Sequence, residues 1–435
     1  MNPSPVQTLD ELYRVVNPDQ PLAPDDARYV DLGPARSEDL VALISRRMRS
    51  AAPPHYHRRL VTGHRGSGKS TELRRLQAKL ESLDFLVVYL DVEVTLDLAD
   101  VEYLDLMLAV AQKLDQAALD NDLDVNPGLI LDVGDWFAEV LLTKEEQDEV
   151  QLETETQAKM GIEIPLLTKL LASLTTKIRS GSVSRRQVRL ELERRMEDLL
   201  SRLNLLVDNI TLQAKKAGYK GVVVIADSLE KMPLKQLDHG LTNHAQLFVE
   251  HAEQLKALPC HTVYTVPVSL LNDRNLGIAY SDVDLIPMVK VATPERKPWD
   301  AGRDLLYQVV ARRLDVDQLF ADPQIVYRLV DASGGVVRDL MRLTLFAADY
   351  TPDGQRIAPE AASKAIRKLV REYARLIHQG DLKLLNKVAK DVHIATSTEL
   401  ARLMYNRLVL PYINDDEWVD LHPAVRQAST FRAHL

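Results

Sequence analysis

Eight consecutive residues restrict the fold of this chain more than any other stretch. Gly63-His64-Arg65-Gly66-Ser67-Gly68-Lys69-Ser70 spells glycine, four residues, glycine, lysine, serine. A short apolar segment, Leu60-Val61-Thr62, precedes it, and Thr71 to Leu83 follows with apolar positions at Leu73, Leu76 and Leu80, so the order is strand, loop, helix. The chemistry requires these residue types. Glycines let the backbone wrap until its N–H groups face a phosphate, and the helix N-terminus adds its positive end. Gly63 to Thr71 are therefore the expected nucleotide-phosphate contacts, with Lys69 spanning the β- and γ-phosphates of ATP and Ser70 a ligand of Mg²⁺.

Binding a nucleotide in this way also calls for a carboxylate at the end of a neighbouring strand to hold the metal's water shell. The most apolar run in the chain, Gly221 to Ala226, reads as a central parallel strand and ends in Asp227. Ser228 follows where an acid is commoner, and Glu230 comes three positions after Asp227. Glu230 has two readings: it polarises an attacking water, or it is an exposed loop acid paired with Lys231.

Around these landmarks strand and helix signals alternate. Phe85 to Leu90, His261 to Val266 and Leu285 to Val291 read as further strands; Ser37 to Met48 (capped by Ser37), Tyr103 to Leu119 and Thr242 to Leu258 read as helices. The expected fold class is α/β, a P-loop NTPase with a doubly wound parallel sheet, a helical insertion, a helical lid and a C-terminal winged-helix-like domain. The insertion, about residues 120–218, starts acidic (Glu145, Glu146, Asp148, Glu149, Glu153, Glu155) and continues with the apolar face Leu167, Leu170, Leu171 and Leu174. A heptad seam follows at Leu192, Met196, Leu199, Leu203, Leu206 and Ile210, giving one long helix from Ser184 to Lys216, on the order of 50 Å, that folds back as a hairpin or reaches a partner. The expected divisions are an arm at 1–28, the ATPase domain at 29–295, a lid at 296–378 and the C-terminal domain at 379–435. In the last of these, a helix from Thr396 precedes two short strands flanking Asn414-Asp415-Asp416.

Composition sets the outer limits. At 435 residues the chain exceeds one ordinary core. Its single cysteine, Cys260, excludes an intrachain disulfide and fits a reducing cytoplasm. With neither a secretory leader nor a run of ~18 apolar residues, a cytoplasmic protein without membrane contact is expected. A formal charge of -9 disfavours nucleic acid without excluding it, because Lys364, Arg367, Lys368, Arg371, Arg375, Lys383, Lys387 and Lys390 form a local basic run.

With the P-loop, Asp227-Ser228-Leu229-Glu230-Lys231 and Ser333-Gly334-Gly335-Val336-Val337-Arg338, the chain resembles the AAA+ and STAND P-loop ATPases, in the branch of origin initiators and bacterial defence ATPases. The resemblance spans residues 28 to 422, the insertion apart. It implies that Arg338 reaches the γ-phosphate from the lid and that Thr265 stands near it as a polar sensor. It implies too that an arginine from a neighbouring subunit, with Arg274 best placed, completes the site, and that Tyr29 to Leu32 and the helix after Ser37 clamp the base. The expected function is an ATP-binding and ATP-hydrolysing switch that controls a partner protein, through the 145–216 insertion, or its own assembly in a homo-oligomer or hetero-complex; bacterial antiviral defence is the implied setting. A DNA-associated loader acting through the winged helix is the alternative, and a small-molecule P-loop kinase a weaker one.

Overall fold

The computed structural model describes residues 5–36, 39–51, 55–141, 166–180, 182–273, 275–395, 397–413 and 416–434. Five parallel strands form the central sheet: β1 (Arg58–Thr62), β2 (Phe85–Asp91), β3 (Gly221–Asp227), β4 (His261–Val266) and β5 (Asp282–Leu285), in the order β2-β3-β4-β1-β5. β3 is buried along its whole length, as expected of a continuous Val/Ile run flanked by strands on both sides. β4 lies between β1 and β3, so the loops after β1 and β3 approach each other across its end. This crevice at the carboxyl ends of the strands is where open α/β sheets take ligands.

Several boundaries differ from the sequence reading. β5 ends at Leu285; Pro287 then supplies no N–H, and the Met288 N–H donates to the Pro411 carbonyl of the C-terminal hairpin at 3.2 Å. The helix expected from Ser37 is Leu40–Ser50, capped by the Asp39 carboxylate on the Ala42 N–H; Ser37 lies outside the described residues. The single long helix is two, Ser182–Arg194 and Met196–Lys216, because Arg195 leaves helical geometry at φ -121° and ψ 33°.

These two helices and Leu166–Ser180 fold back on the sheet domain. Leu167, Leu171, Leu174, Val188, Leu192, Leu199, Leu203, Leu206 and Ile210 join one core with strand residues Leu86, Val88, Val222 and Val224. The heptad seam is thus consumed inside the chain. Arg185 pairs with Asp97 and Asp100, and Arg189 with Asp100, Glu102 and Asp105. The acidic stretch 145–155 lies outside the described residues.

A second core joins the N-terminal arm, the lid helices (Asp300–Ala311, Gln324–Ser333, Val337–Asp349, Pro359–Ala374) and the C-terminal elements. Leu12 and Val16 of the arm helix Leu9–Val15 are buried in it, and Val6 bridges to Leu314. The C-terminal elements are helix Leu382–Lys390, helix Thr398–Tyr405 and an antiparallel hairpin of β6 (Val409–Ile413) and β7 (Glu417–Leu421). Helix followed by hairpin is the winged-helix-like arrangement; Asn414 and Asp415 of its turn lie outside the described residues. Among the described residues no helix is long and apolar enough to cross a membrane.

Candidate functional site

Gly63, Gly66 and Gly68 take φ values of 151°, 87° and 100°, so the loop from β1 into helix Lys69–Glu81 needs glycine at each. At Gly66 space is short as well: a Cβ would lie 2.4 Å from the Cβ of Arg338. Lys69 is buried, and its amine donates to the Gly63 and His64 carbonyls at 2.9 and 2.8 Å and sits 3.3 Å from Glu230 Oε1.

Asp227 and Glu230 reach this loop from the end of β3. Ser228 takes φ 76°, a conformation costly for a residue with a Cβ, and the Asp227 carboxylate accepts its N–H at 2.7 Å. The turn carries Glu230 back beneath Lys69, so Glu230 is not an exposed partner of Lys231; Lys231 pairs with Glu93 instead. Burial alone would push the Glu230 carboxyl up, but the Lys69 charge and the Thr265 hydroxyl outweigh it and hold the group below the ordinary Glu range. Its Oε2 is buried and makes no hydrogen bond.

The reverse holds at Asp227. Burial, then repulsion from Glu230, pushes its pKa up, against hydrogen bonds from Tyr89, Ser70 and the Ser228 N–H. Tyr89 donates to Oδ2 at 2.6 Å. Among the described residues no cation forms an ion pair with Asp227, and the Lys69 charge that reaches it is spent first on Glu230, so a desolvated carboxylate beside the Ser70 hydroxyl is incompletely neutralised. That donor set suits a hard divalent ion such as Mg²⁺, which binds oxygen and keeps water in its shell.

Thr265 is fully buried on β4; its Oγ1 accepts the Leu229 N–H at 3.0 Å and it acts on Glu230, not on the cavity itself. Arg338 opens the lid helix Val337–Asp349, and its backbone N–H donates to the Gly66 carbonyl at 3.2 Å. Arg274 lies outside the described residues.

Gly66 to Thr71, Asp227, Glu230 and Arg338 line one cavity of about 250 Å³. Tyr29, Val30 and Leu32 line it as expected, joined by Val309 and Met341 of the lid; the helix Leu40–Ser50 contributes none of its wall. Gly63 and His64 serve it through carbonyls that hold Lys69. The His64 ring is buried with neither nitrogen hydrogen-bonded, and burial, then the Lys69 charge, keeps it neutral well below the ordinary His range.

Three contributors escaped the sequence reading, and a fourth, Arg65, was expected on phosphate but turns its guanidinium elsewhere. Arg36, buried, donates to the Ser67 carbonyl behind the P-loop and lies 3.9 Å from Glu72. Tyr89 follows from the register that sets Asp91 opposite Asp227. Arg65, an unspecified position of the motif, binds the Lys231 carbonyl and Tyr405 Oη (3.2 Å), while Tyr405 donates to the Met232 carbonyl at 2.8 Å. Residues 17–22 of the arm form one wall of the cavity. Only Arg65 had any signal, its place inside the motif; the others depend on distant chain.

No protein-family model and no curated protein matches the chain. Among solved structures it is similar to a Walker-type ATPase of Pyrococcus abyssi, with 14% identity, TM-score 0.43, and 95% of this chain and 99% of that one covered. It is also similar to the ORC2 protein of Aeropyrum pernix, determined as ADPNP and ADP complexes (12%, TM-score 0.41, 97% of each chain), and to CDC6P of Pyrobaculum aerophilum (13%, TM-score 0.41, 97% of each chain).

Proposed function

We propose that this chain binds ATP with Mg²⁺ and hydrolyses it, as a switch that closes the sheet domain against the lid and so alters the surface offered to a partner or a second copy. One observation carries the reading: the P-loop amides, Lys69, Ser70, Asp227, Glu230 and Arg338 meet around a single cavity although they come from three separate stretches of chain. Lys69 and Arg338 face the phosphates from opposite bodies, where positive charge stabilises phosphoryl transfer most. Glu230, held ionised by Lys69, has a free oxygen to accept a proton from an attacking water. Mg²⁺, held by Ser70 and through water by Asp227, would neutralise phosphate charge. Arg274 of a neighbouring copy would add a late cation.

The insertion would meet a partner through its outer side, where Leu131 of helix Pro127–Leu141, Leu190 of Ser182–Arg194, and Leu205 and Leu212 of Met196–Lys216 are exposed. In the setting of antiviral defence, a separate effector would act when the switch changes state. A Lys69→Ala chain tests the core of the reading; hydrolysis at the wild-type rate would end it.

The DNA-associated alternative also has an observation in its favour. The basic run does not act as one face: Lys368 covers the Phe346 ring at 3.6 Å, whereas Lys364, Arg367 and Arg371 line a cavity of about 530 Å³ with Arg432 of the C-terminal helix. Arg367 and Arg371 make no ion pair among the described residues. DNA affinity whose salt slope shrinks on neutralising these two arginines would favour this reading over the protein switch.

A further inference from the structure

We propose that Asp19, on the N-terminal arm, sets how strongly the site prefers a nucleoside triphosphate to a diphosphate, by competing with the terminal phosphate for Arg338. The inference rests on the ATP reading above and names a residue that reading does not use.

Residues Asn17 to Leu22 cross the cavity as a strap between the two bodies that must close on a nucleotide. Towards the lid, the Pro18 carbonyl accepts from Arg338 Nε at 3.3 Å, and Asp19 Oδ1 lies 3.4 Å from the same nitrogen. Towards the P-loop helix, the Leu22 N–H donates to Thr71 Oγ1, one residue past Ser70, at 3.2 Å. Upstream the strap is moored on the lid: Leu12 and Val16 are buried there, the Val6 N–H donates to the Arg313 carbonyl, and Tyr13 Oη donates to Asp349 at 3.0 Å. Arg28 Nη1, donating to the Val15 carbonyl at 3.3 Å, closes the strap at its base.

Arg338 is three-quarters buried, and Arg65 and Arg407 press positive charge on it. The acid in ion-pair contact with it is Asp19, with Asp339 adding a weaker attraction. A terminal phosphate arriving at Arg338 brings nearly two negative charges, so phosphate and carboxylate repel each other while sharing one guanidinium. A diphosphate lacks the competing group. Triphosphate binding therefore loosens the strap, and the arm reports which nucleotide is bound. Asp19 is 78% exposed, so its pair with Arg338 is weak and the competition is worth about two- to fivefold in affinity.

Equilibrium binding of a non-hydrolysable ATP analogue and of ADP to the full chain tests this. Asp19→Asn should tighten the analogue about two- to fivefold and leave ADP unchanged, and should do nothing in an Arg338→Ala background. Equal changes for both nucleotides, or an effect that persists without Arg338, would overturn the proposal while leaving the ATP reading intact. Failure of the wild type to bind either nucleotide would sink both. Hydrogen exchange on the wild type gives an independent reading: the amides of Asn17, Asp19, Gln20 and Leu22 should exchange faster with the analogue than with ADP, and equal protection would refute the strap's release.

Discussion

Two buried carboxylate centres in different halves of the molecule are finished to different degrees. In the lid, Asp339 is fully buried and saturated: Tyr373 donates at 2.6 Å, Arg342 lies at 3.2 Å, Arg407 at 3.5 Å and His422 at 3.4 Å, the last stacked on Tyr373. At the end of β3, Asp227 makes no ion pair among the described residues and Glu230 keeps an unused oxygen. A completed polar network fixes structure, while an incomplete one is tolerated where a ligand finishes it. On the proposed reading, the contrast separates residues that build from residues that would act, although all are buried acids.

The contrast can be broken most directly at Glu230. Glu230→Gln should cut ATP hydrolysis by roughly a hundredfold or more while leaving nucleotide binding in place and the melting temperature little changed; hydrolysis within a factor of two of wild type would place Glu230 with the structural acids. Asp339→Ala should do the opposite, lowering folding stability by about 3 kcal/mol because four cationic or polar partners lose their shared acceptor in a dry site. Chemical denaturation measures it, and a midpoint equal to wild type would refute the assignment.

Acid should find the buried histidines before the buried lid carboxylate. His244 and His261, packed around the sheet, are pushed down to about 4 by burial, so the unfolded chain takes up protons that the folded chain refuses. Stability from these groups is full above the ordinary histidine value of 6.5 and declines as pH falls to about 4. Asp339 is held far below the ordinary carboxyl range, chiefly by His422 and Arg407 against its burial, so its share is lost only below the usual Asp value of 3.8. Melting temperatures that stay flat from pH 6.5 to 4.5 would contradict this order. The smallest effect belongs to the contact between halves: Tyr405→Phe removes the hydroxyl that meets Arg65 and the Met232 carbonyl, and should cost about 1 kcal/mol, read as a small drop in midpoint.

What was legible in the sequence follows from the range of the cause. The P-loop is local, since glycines at fixed spacing impose the wrap themselves, and Asp227 ends a run that could only be a buried strand. Arg338 was named through the resemblance, on a glycine pair ahead of its helix, and it lines the cavity. Glu230 was left open because its burial depends on Ser228 turning with positive φ, which the residue type does not announce. Asp19, Arg36 and Tyr89 were invisible, for each meets the site from a distant stretch. In the insertion the heptad period ran straight through Arg195, because periodicity records which face is apolar and not whether the backbone breaks. The same apolar face would have served a partner or the chain's own core.

The lid's first turn has a further mechanical meaning. A methyl on Gly334 would strike Pro423 Cδ at 2.6 Å, and one on Gly335 would meet the Val289 carbonyl oxygen at 1.8 Å, while Tyr412 donates to the Gly334 carbonyl at 2.7 Å. Linker, lid and C-terminal elements thus bear on one point with no free play between them. A rotation that swings Arg338 towards a phosphate works there as a crank: its shaft cannot turn without moving the hairpin, so a displacement at the nucleotide is delivered, undiminished by slack, to the far end of the chain.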